Sequence, residues 1–186
     1  MKFCGECGVA TVRQIPPGDD HLRDVCEACG TIHYQNPKVI VGTLPVYEGR
    51  VLLCKRAIEP RYGYWTLPAG FLEMEESTWL GAKRETFEEA GAIVEEGQLY
   101  GVFDLPHISQ IYMFYLAEVV DGQFSAGAES LEVAWFEEQD IPWKELAFSV
   151  VHAMLKRYFD DRRRNNYPLC QEILPPHREA WRGSST

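Results

Sequence analysis

The sequence predicts an α/β domain with helices on both faces of a mixed sheet, preceded by a small four-cysteine ribbon. Three observations carry this. Two C-x2-C pairs stand near the N-terminus, β-branched runs alternate with two helical segments through the middle, and one of those segments is crowded with carboxylates. With 186 residues, 46% of them hydrophobic, the chain is long enough for one well-filled domain beside the ribbon. No apolar run approaches bilayer-spanning length. The net charge of -10 argues against a general nucleic-acid binder.

The first element is the ribbon, residues 1–34. Cys4-Gly5-Glu6-Cys7 and Cys26-Glu27-Ala28-Cys29 are separated by eighteen residues, a spacing that reads as a zinc site with Cys4, Cys7, Cys26 and Cys29 as ligands. Gly8 and Gly30 follow the second cysteine of each pair, where tight turns aim backbone N–H groups at thiolates. Two disulfides are the competing arrangement. No apolar leader precedes Met1-Lys2-Phe3, which points to the cytoplasm and to reduced thiols. Structural zinc would supply the stability that so short a segment lacks in its own core.

The domain proper is expected over residues 35–164. Tyr34-Gln35-Asn36-Pro37-Lys38 reads as a connection into a β-branched strand, Val39 to Leu44. Glu48-Gly49 turns the chain into a second strand, Arg50 to Arg56, so the two form a hairpin. A loop rich in Pro, Gly and aromatics runs from Ala57 to Trp65, and Gly70, after Pro68-Ala69, offers a sharp turn into the acidic segment. Strand-like runs follow around Leu99 to Phe103, Ile111 to Val119 and Leu131 to Phe136. A last helix spans about Phe148 to Arg162 and ends in the basic run Arg162-Arg163-Arg164. Over residues 165–186 periodicity is lost and Pro, Gly and Ser increase, so this tail is either an extended arm or partly disordered. Cys54 lies in an apolar run and reads as a core residue, not a nucleophile.

The acidic helix carries the chemistry. Gly70 to Gly91 fits G-x5-E-x7-R-E-x2-E-E-x-G, whose seven fixed positions would match by chance about once in 10^8 starts. Ser77 is the N-cap and Gly91 the left-handed stop. Trp79, Ala82, Lys83, Thr86 and Ala90 recur at helical spacing on the side away from Glu88, the apolar members toward the core, while Glu85, Glu88 and Glu89 stand i, i+3, i+4 and share another face. Like charges so close repel. A hard divalent cation offsets this: Mg2+ (or Mn2+) takes oxygen ligands, keeps several waters, and is held by carboxylates together with substrate phosphates. A solvated acidic face is the plainer alternative, but it would not require Gly, Arg and Glu at fixed distances. Counted along an ideal helix, Glu76 falls off the carboxylate face, so it acts through water or only structurally.

These residues are similar to the signature of the Nudix hydrolases, which cleave nucleoside diphosphates linked to another moiety. Thr86 and Ala92 stand where that signature has bulky aliphatic residues, and both are packing positions. The resemblance implies an α/β/α sandwich. It also implies Glu85 and Glu89 as metal ligands, Glu88 as a further ligand or the base, and Arg84 as the residue that orients Glu85. In several Nudix enzymes a loop glutamate outside the box completes the site, and Glu129 and Glu132 are the two that would do so here. Tyr34-Gln35-Asn36-Pro37, Leu53-Cys54-Lys55-Arg56, Trp65 to Gly70, Glu129 to Glu132 and Leu146 to Ser149 further resemble plant plastid pyrophosphatases acting on FAD and ADP-ribose, with their bacterial relatives. That implies cleavage of FAD to FMN and AMP, or of ADP-ribose to AMP and ribose 5-phosphate. An NADH pyrophosphatase, which shares a four-cysteine ribbon, ranks third. Its Ser-Gln-Pro-Trp-Pro-Phe-Pro run is matched here only by Ser109-Gln110.

Residues outside the box bear on binding. Arg56 would pair a phosphate bidentately, with a surface salt bridge as the alternative. Tyr64 and Trp65 offer faces for an adenine or flavin ring, with core packing as the alternative. His107, in a Leu-Pro-His turn, either lines the pocket or is incidental. Metal ions on the carboxylates would neutralise charge developing at phosphorus and lower the pKa of a bound water, whose proton a carboxylate takes. The partner expected is therefore a nucleotide small molecule, with no membrane and no nucleic acid. Nudix enzymes acting on nucleotide sugars are often dimers, so the resemblance also carries the expectation of a homodimer. A reading of another class makes the ribbon an RNA- or protein-recognition module beside a non-catalytic fold. Three intact, mutually repelling carboxylates weigh against it.

Overall fold

The computed structural model describes residues 1–176, which fall into two compact units, Met1–Pro37 and the chain from Lys38 onward. In the first unit, three short antiparallel strands, β1 (Val12–Gln14), β2 (Arg23–Val25) and β3 (Ile32–His33), lie in the order β1-β2-β3. Its buried side chains are Cys4, Pro16, Val25 and Cys26. Such a group is too small to stabilise a fold by apolar burial alone.

The second unit is built on a mixed sheet. β4 (Lys38–Tyr47) and β5 (Arg50–Arg56) make the expected hairpin through Glu48-Gly49, whose φ values of 48° and 78° suit a type I′ turn. The two strands pair at Val46 and Tyr47 and then diverge. Two short strands fill the gap, β6 (Trp65–Thr66) on β5 and β7 (Ala69–Phe71) on β4. With β8 (Val94–Leu105), β9 (Gln110–Val119), β10 (Ser130–Phe136) and β11 (Cys170–Ile173), the sheet runs β10-β5-β4-β9-β8-β11. β4 with β9 and β8 with β11 are parallel, and the remaining pairs are antiparallel. β11 falls in the stretch expected as an arm or as partly disordered. Its four residues are extended and take the edge beside β8, while residues 177–186 lie outside the described residues.

The helices α1 (Thr78–Ala90) and α2 (Ser149–Arg164) cover opposite faces of this sheet, giving the α/β/α arrangement. The alternation of β5 shows why. Leu52 and Cys54 point to the side of Ala90 on α1, whereas Val51 and Leu53 point to the side of Val151, Met154 and Leu155 on α2. Cys54 is thus a core residue, and burial pushes its thiol well above the ordinary range, which keeps it unreactive. Ser77 caps α1 by accepting from the Leu80 N–H at 3.3 Å, and Gly91 ends it with φ 59°. The unusual Thr86 has a partner: its hydroxyl lies 2.6 Å from that of Thr43 on β4 and donates to the Ala82 carbonyl at 2.7 Å, both threonines being fully buried. A paired hydroxyl clasp between α1 and β4 therefore stands where an aliphatic contact is usual. The basic run closing α2 is held internally, with Arg162 and Arg163 bonded to Glu138 at 3.0 and 2.6 Å.

Candidate active site

The acidic box is shaped by what α1 meets as it passes β7. Three successive residues of that strand touch it in turn. The Ala69 N–H donates to Glu89 Oε2 at 3.1 Å, a Cβ on Gly70 would collide with the Glu85 carboxylate, and the Phe71 carbonyl accepts from Arg84 at 3.2 Å. Gly70 was expected to provide a sharp turn; it lies instead inside β7. What it provides is room for a carboxylate. The three box glutamates form a gradient from inside to outside. Glu89 is buried, Glu85 is largely covered, and Glu88 has 55% of its side chain exposed.

Arg84 organises this face. It donates to Glu76 at 2.7 Å, to Glu85 at 2.7 Å and to Glu88 at 3.0 Å. Glu76, which precedes the N-cap of α1 and so lies off the helix altogether, also accepts from the Glu73 N–H at 2.8 Å and braces the arginine. Hydrogen bonding to Arg84 holds the Glu76 carboxyl below its ordinary range. Burial pushes the Glu85 carboxyl up against the pull of Arg84, with the charges of Glu88 and Glu129 adding to the rise. Burial likewise pushes Glu89 up to about 8, reinforced by Glu85 and Glu129 and opposed by the Ala69 N–H and Arg56. Carboxylates gathered under so little compensating charge fit a divalent cation, whose binding would release the Glu89 proton. Glu85, Glu88, Glu89 and Glu129 could hold one.

These groups line a cavity of about 900 Å3. Arg56, Glu129 and His107 stand in its wall. Arg56 donates to the Pro60 carbonyl at 2.9 Å and lies 5.1 Å from the centre of the Phe148 ring. Trp65 does not reach the cavity. It is buried in the core, edge-on to Phe136 at 4.9 Å, because β6 pairs with β5 and turns its side chain inward. Tyr64 also lies outside the cavity wall, with Arg61 5.4 Å above its ring. Glu132 is displaced by an irregularity in β10 between Ser130 and Glu132, so it stands opposite Lys55 and faces its ammonium at 3.7 Å. The aromatic surface of the cavity comes instead from Phe71, Tyr112, Phe114 and Phe148, of which sequence reasoning marked none as ring-binding. Tyr112 sits on β9 stacked on Phe114 at 6.1 Å, and no local pattern in the sequence marks either position.

The ribbon offers a second metal centre. Four thiols bound tetrahedrally to zinc at about 2.3 Å would stand about 3.8 Å apart. Cys4 and Cys29 are 3.7 Å apart, Cys7 and Cys26 are 3.5 Å apart, and all four sulfurs lie within 4.8 Å of one another. The set fits structural zinc. Burial works against a thiolate at Cys4, yet hydrogen bonds from the Cys7 and Glu6 backbone and the His33 ring overcome it and hold the thiol down at about 6. His33 Nε2 lies 3.3 Å from Cys4 Sγ and donates to it, since a thiolate only accepts. His33→Ala should therefore speed zinc release to a chelator by about tenfold or more, as loss of a partner behind a metal ligand does. His33→Gln, which keeps an N–H donor, should recover part of the difference.

Comparison with known proteins agrees with this geometry. The NUDIX domain family model matches residues 36–158, and the Nudix N-terminal zinc-ribbon model matches residues 2–35. The ADP-ribose pyrophosphatase of Methanocaldococcus jannaschii is 31% identical over 121 residues, covering 62% of this chain and 69% of that protein. A NAD-capped RNA hydrolase, NudC, of Haemophilus influenzae is 29% identical over 164 residues, or 83% of this chain. The chain spans 60% of that relative's length. Among solved structures, a Nudix hydrolase from Nitrosomonas europaea superposes with a TM-score of 0.91 at 53% identity, covering 94% of this chain and 99% of that one. The capped-RNA relatives bear on the expectation that nucleic acid is no partner. Net charge describes the whole surface and does not reach what one cavity admits, so the value of -10 leaves RNA open. No helix among the described residues is long and apolar enough to cross a membrane. With the NUDIX match running from residue 36 to residue 158 and the carboxylates of its box gathered at one cavity, the chain belongs to the Nudix hydrolase family.

Proposed function

We propose that the protein hydrolyses the diphosphate bond of a nucleoside diphosphate derivative, with ADP-ribose as the leading substrate and FAD next. The observation that carries this reading is the buried Glu89, set beside Glu85 and within electrostatic reach of Glu129 at a cavity large enough for a dinucleotide. The relative from Methanocaldococcus jannaschii supports ADP-ribose, whereas FAD rests on the motif resemblance alone. Glu85, Glu88 and Glu89 would hold Mg2+ or Mn2+, which when bound neutralises charge at phosphorus and acidifies water. Arg84 fixes Glu85 and Glu88 in place, and Arg56 bonds a substrate phosphate from the opposite wall. Glu129, not Glu132, takes the proton of the attacking water. Tyr112 and Phe148 flank the planar part of the substrate, in place of Tyr64 and Trp65. In the ribbon, Cys4, Cys7, Cys26 and Cys29 hold structural zinc.

A second reading, cleavage of NAD-linked diphosphates including NADH and NAD-capped RNA, is favoured by the Haemophilus influenzae relative, matched over 83% of this chain. Incubation of the purified protein with Mg2+ and FAD, ADP-ribose, NADH or NAD-capped RNA, with products separated by chromatography, ranks these substrates. AMP should appear fastest from ADP-ribose. Turnover of none of the four, together with tight RNA binding, would overturn the enzyme reading in favour of a recognition module.

A further inference from the structure

We propose that Gly127 is a positioning residue for Glu129, locking the loop that carries this carboxylate onto the open carbonyl end of α1. The inference rests on the reading that Glu129 acts in the site. A helix leaves its last carbonyls without partners inside the helix. Here the incoming loop takes two of them: the Ser125 N–H donates to the Ala90 carbonyl at 2.8 Å, and the Gly127 N–H donates to the Glu89 carbonyl at 3.1 Å. The loop lies so close that a Cβ on Gly127 would overlap the Glu88 carbonyl oxygen and stand 2.9 Å from its carbon. These obstacles are backbone and have no rotamer to change. The requirement for glycine at 127 is therefore one of space.

From this anchor the chain reaches Glu129 in two residues. The Ser130 N–H donates to the Gly127 carbonyl at 3.1 Å and closes a turn, and the Ala57 N–H donates to the Glu129 carbonyl at 2.8 Å. The backbone of Glu129 is thus held from α1 on one side and from the end of β5 on the other, with its side chain in the cavity wall. The helix that presents Glu85 and Glu89 also sets where Glu129 stands. Placing a fourth carboxylate by the backbone of the element that bears the other three keeps their spacing fixed, which a site built on positioned charges requires.

The test is a double-mutant cycle on the intact protein with ADP-ribose and Mg2+. Glu129→Gln alone should lower kcat by about a hundredfold. Gly127→Ala alone should lower kcat by about tenfold or more while KM changes by less than about threefold, the pattern of a displaced group that acts in the transition state. In the Glu129→Gln background, Gly127→Ala should cost less than about twofold, because nothing remains to misplace. Equal losses in both backgrounds would mean a general structural role and would overturn the proposal, as would wild-type kcat in Gly127→Ala. Near wild-type activity of Glu129→Gln would instead remove the functional reading beneath it. Amide hydrogen exchange on the unaltered protein needs no variant to fold: the Ser125 and Gly127 amides should exchange as slowly as those of α1, and rapid exchange at both would show that the loop is not docked.

Discussion

Glu89→Gln should abolish most turnover, lowering kcat by about 10^3-fold, equivalent to about 4 kcal/mol of transition-state stabilisation, while the fold survives. The change removes a charge without altering volume, and the amide oxygen can still accept from the Ala69 N–H that now bonds Glu89. Its second effect has the opposite sign. In the metal-free protein burial holds the Glu89 carboxyl up at about 8 against an ordinary 4.5, so between those values the folded state keeps a proton that the unfolded chain releases. Folding stability must then fall as pH rises through that window. In buffer free of Mg2+ and Mn2+ but without a chelator, which would strip the zinc, the unaltered protein should lose melting temperature from pH 5 to pH 8, and Glu89→Gln, which has no proton to lose, should lose less. Excess Mg2+ should restore the unaltered protein and not the variant. Activity within threefold of the unaltered enzyme would sink the assignment of Glu89 as a ligand, and parallel melting curves would sink the account of its burial.

The carboxylate face was legible because Arg84, Glu85, Glu88 and Glu89 lie on one helix, where spacing in sequence translates directly into a face in space. Ser77 and Gly91 act as the caps their chemistry suggests, and the long strands lie over the expected runs, although β8 begins at Val94, well ahead of the expected Leu99. What was not legible depends on contacts between distant segments. Gly70 looked like a turn residue because proline and glycine cluster there, but only the packing of β7 on α1 reveals that a carboxylate needs the missing side chain. Glu129 and Glu132 were equivalent by sequence. An irregularity in β10 separates them, sending one to the cavity and the other to Lys55. Trp65 belongs to a two-residue strand, too short to show any alternation, and pairing with β5 commits it to the core. Tyr112, on β9, and Phe148, the residue before α2, meet at the cavity only through tertiary packing, so no local window contains their role. Thr86 falls between these cases. Its departure from the usual aliphatic residue was visible, but its partner Thr43 lies on another element.

Cys4→Ser should release zinc and unfold the ribbon, because the metal supplies nearly all of what holds residues 1–37 together. The buried side chains of that unit are Cys4, Pro16, Val25 and Cys26, and two of these are thiols. Burying one valine and one proline contributes far less than ordering the backbone of such a segment costs. Three strands of two or three residues add few backbone hydrogen bonds. Structural zinc couples its binding to folding in so small a unit, so its binding free energy is folding free energy. Serine at position 4 removes a soft thiolate ligand at a buried corner of the site, where the Glu6 N–H at 3.4 Å and His33 at 3.3 Å are arranged for sulfur. Elemental analysis should find about one zinc per unaltered chain and much less in the variant. Amide exchange should show residues 1–37 unprotected in the variant, while β4, β5 and β9, whose side chains build their own core, keep their protection. Cys54→Ser is the matched control, a thiol replaced in the second unit, and it should leave zinc content unchanged. Zinc absent from the unaltered protein, or a protected ribbon in Cys4→Ser, would mean that something other than a metal holds these strands.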